Sequence, residues 1–118
     1  MNVRLLASTL ITLSLFLHAP SADALTMKQF SDICHSFPGE CKDHPVIQAY
    51  VGGALDLLAT LDEQTGYLGK VYCNEKKTLF DVPAIIRFME QRSEQYATDN
   101  AMLMLVRYFE ENGGCKPE

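Results

Sequence analysis

The sequence predicts an all-α fold, a small disulfide-stapled bundle of about four helices. Three observations carry this reading. Apolar residues recur at helical spacing of three and four through most of the chain after its first two dozen residues, and short polar breaks separate these runs. Four cysteines, all beyond the leader, supply cross-links. No repeat, low-complexity tract or linker marks a second domain.

The N-terminus has the layout of a secretory leader. Met1 to Arg4 is a basic n-region, Leu5 to Leu17 an apolar h-region, and Ala22-Asp23-Ala24 a small-x-small cleavage site. The h-region is shorter than the roughly 20 apolar residues of a membrane span. The expected product is therefore a soluble chain from Leu25 to Glu118, released by cleavage after Ala24. A domain of that size buries only about 60–65% of its unfolded surface, so a staple matters. In an oxidising compartment Cys34, Cys41, Cys73 and Cys115 read as two disulfides, with three possible pairings. The pairing adopted is Cys34 with Cys41 and Cys73 with Cys115. In the chain-entropy account the short loop contributes roughly 2.5 kcal/mol and the long one about 4. The net charge of −5 is unchanged by cleavage, because the leader carries one Arg and one Asp. That balance argues against nucleic acid and anionic membrane as partners and favours a basic protein surface.

Each element has a local reason. Thr26 followed by Gln29 has capping-box spacing and opens a short first helix that runs to about His35, where Phe37-Pro38-Gly39 turns the chain. Pro45 starts the second helix, whose expected inner stripe is Val46, Tyr50, Gly53/Ala54, Leu57/Leu58 and Leu61, with Gln48, Gly52, Asp56 and Thr60 opposite. Gly52-Gly53 costs about 1 kcal/mol per glycine relative to Ala, which suggests close approach of another helix. From Gln64 to Lys77 the pattern stops, and a long connection holding Cys73 is expected. The third helix, from Leu79 or Val82 to Gln95, turns Val82, Ile85/Ile86 and Met89 inward, and Pro83 favours Asp81 as its cap. The break at Ala97-Thr98-Asp99 supplies another cap, and the fourth helix runs from Asn100 to Glu111 and is apolar almost all round, so it is either central or covered by a partner. Leu103 falls on its polar strip as an exposed anchor, and Gly113-Gly114 ends it and returns Cys115 to the body.

The chemistry-bearing residues form no catalytic constellation. Cys34 and His35 diverge by about 100° on a helix, and paired cysteines leave no spare nucleophilic thiol. Cys34, His35, Cys41 and His44 have C-x6-C-x2-H spacing rather than that of a zinc knuckle. Asp62-Glu63 and Glu110-Glu111 are sequence neighbours, which suits solvated charge better than an acid and a base flanking one substrate. Gly52-Gly53 lacks the preceding strand of a phosphate cradle. No enzyme, cofactor or metal is expected, and a binding protein remains.

A family resemblance sharpens that reading. Tyr50-Val51-Gly52-Gly53-Ala54-Leu55-Asp56, Val71-Tyr72-Cys73, the third helix, and Ala101 to Phe109 followed by Cys115 resemble the Rap/Tai-type immunity proteins, which protect bacteria against peptidoglycan amidases delivered by type VI secretion. The likeness spans roughly Tyr50 to Cys115. The chain departs from the family pattern at Cys73-Asn74-Glu75, where Cys-x-Pro is common, and at Gly114, where a Pro precedes the last cysteine.

What the resemblance implies is a small, helical, periplasmic antitoxin with a disulfide joining Cys73 and Cys115, which occludes the active-site groove of a cognate Cys-His amidase. Several such proteins act as homodimers. A rigid acidic body can block a groove with little ordering cost, and the expected contacts are two loop edges. One is Asp62, Glu63 and Tyr67; the other is Glu94, Gln95 and Tyr96. The alternative is a periplasmic acid-stress chaperone, for which Leu103, Met104 and Tyr108 would form the apolar partner face.

Overall fold

The structure, a computed structural model, describes residues 23–75 and 79–116. Residues 1–22 of the expected leader lie outside the described residues, as do 76–77 of the expected connection, Thr78 and 117–118. Five α-helices are described: α1 (Met27–His35), α2 (Pro45–Thr65), α3 (Tyr67–Val71), α4 (Val82–Arg92) and α5 (Ala101–Asn112), with a 3-10 turn at Cys41–Asp43 before α2. The fold is all-α, and α4 lies between α2, the 3-10 turn and α5.

Helix α1 begins with its capping box complete. Thr26 Oγ1 accepts from the Gln29 N–H at 3.2 Å, while Gln29 Oε1 accepts from the Thr26 N–H at 2.9 Å. The N–H groups of Met27 and Lys28 donate to the carbonyls of Asp99 and Ala97, both at 2.9 Å. The helix start is thus tied to the segment before α5, which satisfies two of its orphan donors. Met27, Phe30 and Cys34 face the core at intervals of three and four.

Both adopted disulfides are present, Cys34–Cys41 and Cys73–Cys115, and they are those of a chain that folds in an oxidising, exported environment. No helix among the described residues is long and apolar enough to cross a membrane. The first bridge anchors the 3-10 turn, from which His44 caps α2: its Nδ1 accepts from the Val46 N–H at 3.1 Å, with Pro45 at the first helical position. We expect His44→Ala to cost about 1 kcal/mol and His44→Asn to recover most of it, measured by urea denaturation.

Helix α2 corrects the sequence reading. The core takes Ile47, Val51 and Leu55, whereas Val46, Leu57 and Leu61 are 58%, 61% and 44% exposed. The buried stripe is displaced by one residue, a rotation of about 100°. Apolar side chains cover more than half the helix circumference, so spacing alone admits two stripes, and the docking of α2 on α4 and the 3-10 turn selects the Ile47 one. Gly52 and Gly53 do not meet a neighbouring helix either, since a Cβ at either position finds no atom within 4 Å.

The expected long connection is also shorter and more ordered. Helix α2 continues to Thr65, Gly66 turns the chain at φ 64°, and α3 follows at once. Leu68 and Tyr72 are buried, and the Tyr72 ring meets Phe109 edge-on at 6.3 Å. Five residues with one strongly buried side chain give too little periodicity for a helix this short to be read from sequence.

Helix α4 starts at the expected cap, where Asp81 Oδ1 accepts from the Ala84 N–H at 3.0 Å. It ends at Arg92 rather than Gln95, because the N–H and hydroxyl of buried Ser93 both donate to the Glu90 carbonyl, at 3.3 and 2.8 Å. Ile85, Ile86 and Met89 are fully buried. Helix α5 is capped by Asn100, whose Oδ1 accepts from the Met102 N–H at 2.9 Å, and it buries Ala101, Met104, Leu105, Tyr108 and Phe109.

Burial of Tyr108, reinforced by nearby Tyr72 and Asp81 against an opposing effect of Arg87, holds its phenol above the ordinary value of 10.0. Burial does the same for Tyr50. The unfolded chain then releases these protons first, so the stability is complete below about pH 10 and falls as pH rises through the raised folded values. Denaturation midpoints measured between neutral and strongly alkaline pH should show this loss, and it should shrink in Tyr108→Phe.

Candidate functional site

The described surface offers no thiol chemistry, because all four sulfurs are bound in disulfides. His35 and His44 serve local structure: His35 Nδ1 lies 3.3 Å from the Ser31 hydroxyl, and His44 caps α2 while its ring packs on Phe37 at 4.8 Å. Surface shape and charge therefore decide what the protein can engage.

The first expected edge sits at the corner between α2 and α3. Asp62 holds the corner from both sides: its carbonyl accepts from the Gly66 N–H, and its Oδ1 accepts from the Leu68 N–H, each at 2.8 Å. That makes Asp62 a residue that shapes the edge. Glu63 is exposed beside it. Tyr67 is half-buried and, with Leu58, Leu61 and Thr65, lines a shallow groove of about 270 Å³ whose walls are almost wholly apolar.

The second expected edge is the turn after α4. Glu94 and Gln95 are exposed. Glu94 borders a cleft of about 230 Å³ shared with Lys28, Ser31, Asp32, Ser93 and Ala97. Tyr96 is more structural than expected, for its ring lies under the Arg107 guanidinium at 4.7 Å and its N–H donates to the Arg92 carbonyl at 3.1 Å. Among the described residues, no hydrogen bond, ion pair or ring contact joins the two edges.

The expected apolar partner face on the last helix is corrected. Leu103 is exposed at 51%, but Met104 is fully buried and Tyr108 nearly so. Tyr108 packs against Phe88 at 5.3 Å and Phe109 at 5.9 Å, both edge-on. These rings complete the core between α4 and α5, which uses two of the three side chains internally.

Sequence reasoning missed a different surface. Val46, Leu57 and Leu61, assigned to the core, stand on the outside of α2, and Gly53 between them is exposed. The signal was present as a second apolar stripe on one helix, a pattern that marks either a central helix or one covered by a partner. A third cleft, about 250 Å³ between the 3-10 turn and α4, is lined by Glu40, Lys42, Arg87, Glu90 and Gln91. Its Lys42 is already held by Glu40 and Asp43, and the Glu40 contact is the main reason its pKa is raised.

Comparison with protein-family profiles, curated sequences and solved structures finds no match to this chain.

Proposed function

We propose that this chain is a periplasmic immunity protein of the Rap/Tai type, which binds a type VI secretion peptidoglycan amidase, occludes its active-site groove and so protects the producing cell. The observation that carries the reading is the α2–α3 corner. There Leu58, Leu61, Thr65 and Tyr67 line an apolar groove, and Asp62 fixes the backbone on both sides of Gly66. A shallow apolar groove on a twice cross-linked body suits a protein surface better than a small metabolite, which needs a deeper enclosure.

The amidase itself enters through the resemblance from Tyr50 to Cys115. The acid-stress chaperone has less support, since Met104 and Tyr108 of its apolar face lie in the core.

Calorimetric titration of the oxidised Leu25–Glu118 chain into candidate amidases of the same genome, with peptidoglycan cleavage followed on the same mixtures, tests the proposal. Sub-micromolar binding in a fixed ratio with loss of cleavage is expected. Absence of binding, together with suppression of aggregation of unrelated proteins in strong acid, would transfer the role to a chaperone.

A further inference from the structure

We infer that the outer face of α2, a ridge of Val46, Gly53, Leu57 and Leu61 continuous with the Tyr67 groove, docks an amphipathic helix of another protein with an apolar face and basic flanks. The ridge is the largest concentration of exposed apolar side chains on any described element: Val46, Leu57 and Leu61 belong to it, and the other exposed large apolar residues, Phe80 and Leu103, stand elsewhere. From Val46 to Leu61 it runs about 22 Å, four turns of a helix. Leu61 belongs to both ridge and groove, so the surface is continuous past the α2–α3 corner. Gly53 has no neighbour within 4 Å of a built Cβ, which leaves a notch midway along the ridge where a partner backbone can come close. This is the shape used when one helix lays its apolar side along another surface.

Charge identifies the occupant. No Lys or Arg occurs between Lys42 and Lys70, a segment that includes all of α2. Asp56 and Glu63, both exposed, lie about 100° round the helix from the ridge on the side away from the core. The ion pairs among the described residues join Lys28 to Asp32, Lys42 to Glu40 and Asp43, and Arg92 to Glu111, and none of them engages Asp56 or Glu63. A basic flank on the partner would meet both. A second copy of this chain suits the surface poorly. Two-fold pairing along α2 would bring mid-helix Asp56 towards its own symmetry mate, with no cation on either helix to offset the repulsion.

The inference does not depend on the partner being an amidase. Its test uses a 15-residue Leu/Lys amphipathic helical peptide and the matching Leu/Glu peptide, titrated against the oxidised protein. The variants are Leu57→Ser with Leu61→Ser, and Leu103→Ser as an exposed apolar control, with far-UV circular dichroism and melting confirming that each is folded. The Leu/Lys peptide should bind at least about tenfold more tightly than the Leu/Glu peptide, and the double variant should weaken it by about tenfold or more. Leu103→Ser should leave it within about twofold. Failure of the Leu/Lys peptide to bind, or equal binding by the double variant, would overturn the inference. So would a stable dimer of the protein alone, seen by sedimentation equilibrium and abolished by the double variant, since the ridge would then belong to a second copy. A failed amidase titration leaves the peptide result intact, so the two readings fail separately.

Discussion

Replacing Cys73 and Cys115 together by Ser should lower the unfolding free energy of the oxidised protein by about 4 kcal/mol, against roughly 2.5 kcal/mol for Cys34→Ser with Cys41→Ser. The difference arises in the unfolded chain. Cys73 and Cys115 are separated by 42 residues and Cys34 and Cys41 by 7, so the long bridge removes far more of the unfolded chain's freedom. It also has native support around it, because the N–H groups of Cys73 and Asn74 both donate to the Gly113 carbonyl, at 2.6 and 2.8 Å, and the Asn74 amide donates to the Asn112 carbonyl at 2.7 Å. In a domain of this size each kcal/mol shifts the melting temperature by about 4–8 °C, so the loss should be plain in a thermal scan. An unchanged melting temperature in the long-bridge variant would remove the staple from the account.

Gly113→Ala should destabilise by about 2–3 kcal/mol, although its φ of −70° is open to any residue. The effect is steric. A Cβ there would run into the backbone carbonyl oxygens of Val71 and Phe109 and lie 3.1 Å from the Tyr72 Cα, and backbone atoms cannot rotate aside as a side chain can. This is where the end of α3 and the end of α5 come together, next to the long disulfide. Gly52→Ala supplies the contrast: it is in the interior of α2 with open space around it, and should stabilise by up to about 1 kcal/mol. Urea denaturation of the two variants measures both signs, and a harmless Gly113→Ala would contradict the close approach.

Much of the fold was legible because its signals are local. Thr26 and Asp81 carry their capping groups in the side chain itself, so the starts of α1 and α4 are written at single positions, whereas α5 is capped by Asn100 rather than by the expected Ala97-Thr98-Asp99 break. The inward stripe of α4 is unambiguous because Arg87, Glu90 and Gln91 occupy its other faces. Helix α2 has a polar strip at Gln48, Asp56 and Thr60, but its apolar arc is too wide to single out one stripe, and which one turns inward is decided by α4 and the 3-10 turn. The end of α4 depends on how Ser93 folds back on Glu90, a choice invisible in the residue order. Gly114 shows the same limit from the other side: its φ of 69° is closed to proline, so a glycine there reflects a local path of the chain beside Asn74.

The expected contact edges met different fates in the structure. Tyr67 lines the α2–α3 groove and Glu63 is exposed on another face of α2, whereas Asp62 holds the backbone of the corner. Met104 and Tyr108 were misplaced because an all-round apolar helix does not reveal which neighbours cover it. The exposed ridge was missed for the complementary reason, since spacing identifies an apolar stripe but does not say whether the surface opposite it belongs to the same chain.

The most direct test of the proposed immunity role is survival of cells that export a candidate amidase to the periplasm, with and without co-export of this protein. Protection from lysis by the wild-type chain, reduced by Leu57→Ser with Leu61→Ser and retained by Leu103→Ser, is the expected result. Lysis at the same rate with and without the folded, oxidised protein, for every amidase of the genome, would contradict it.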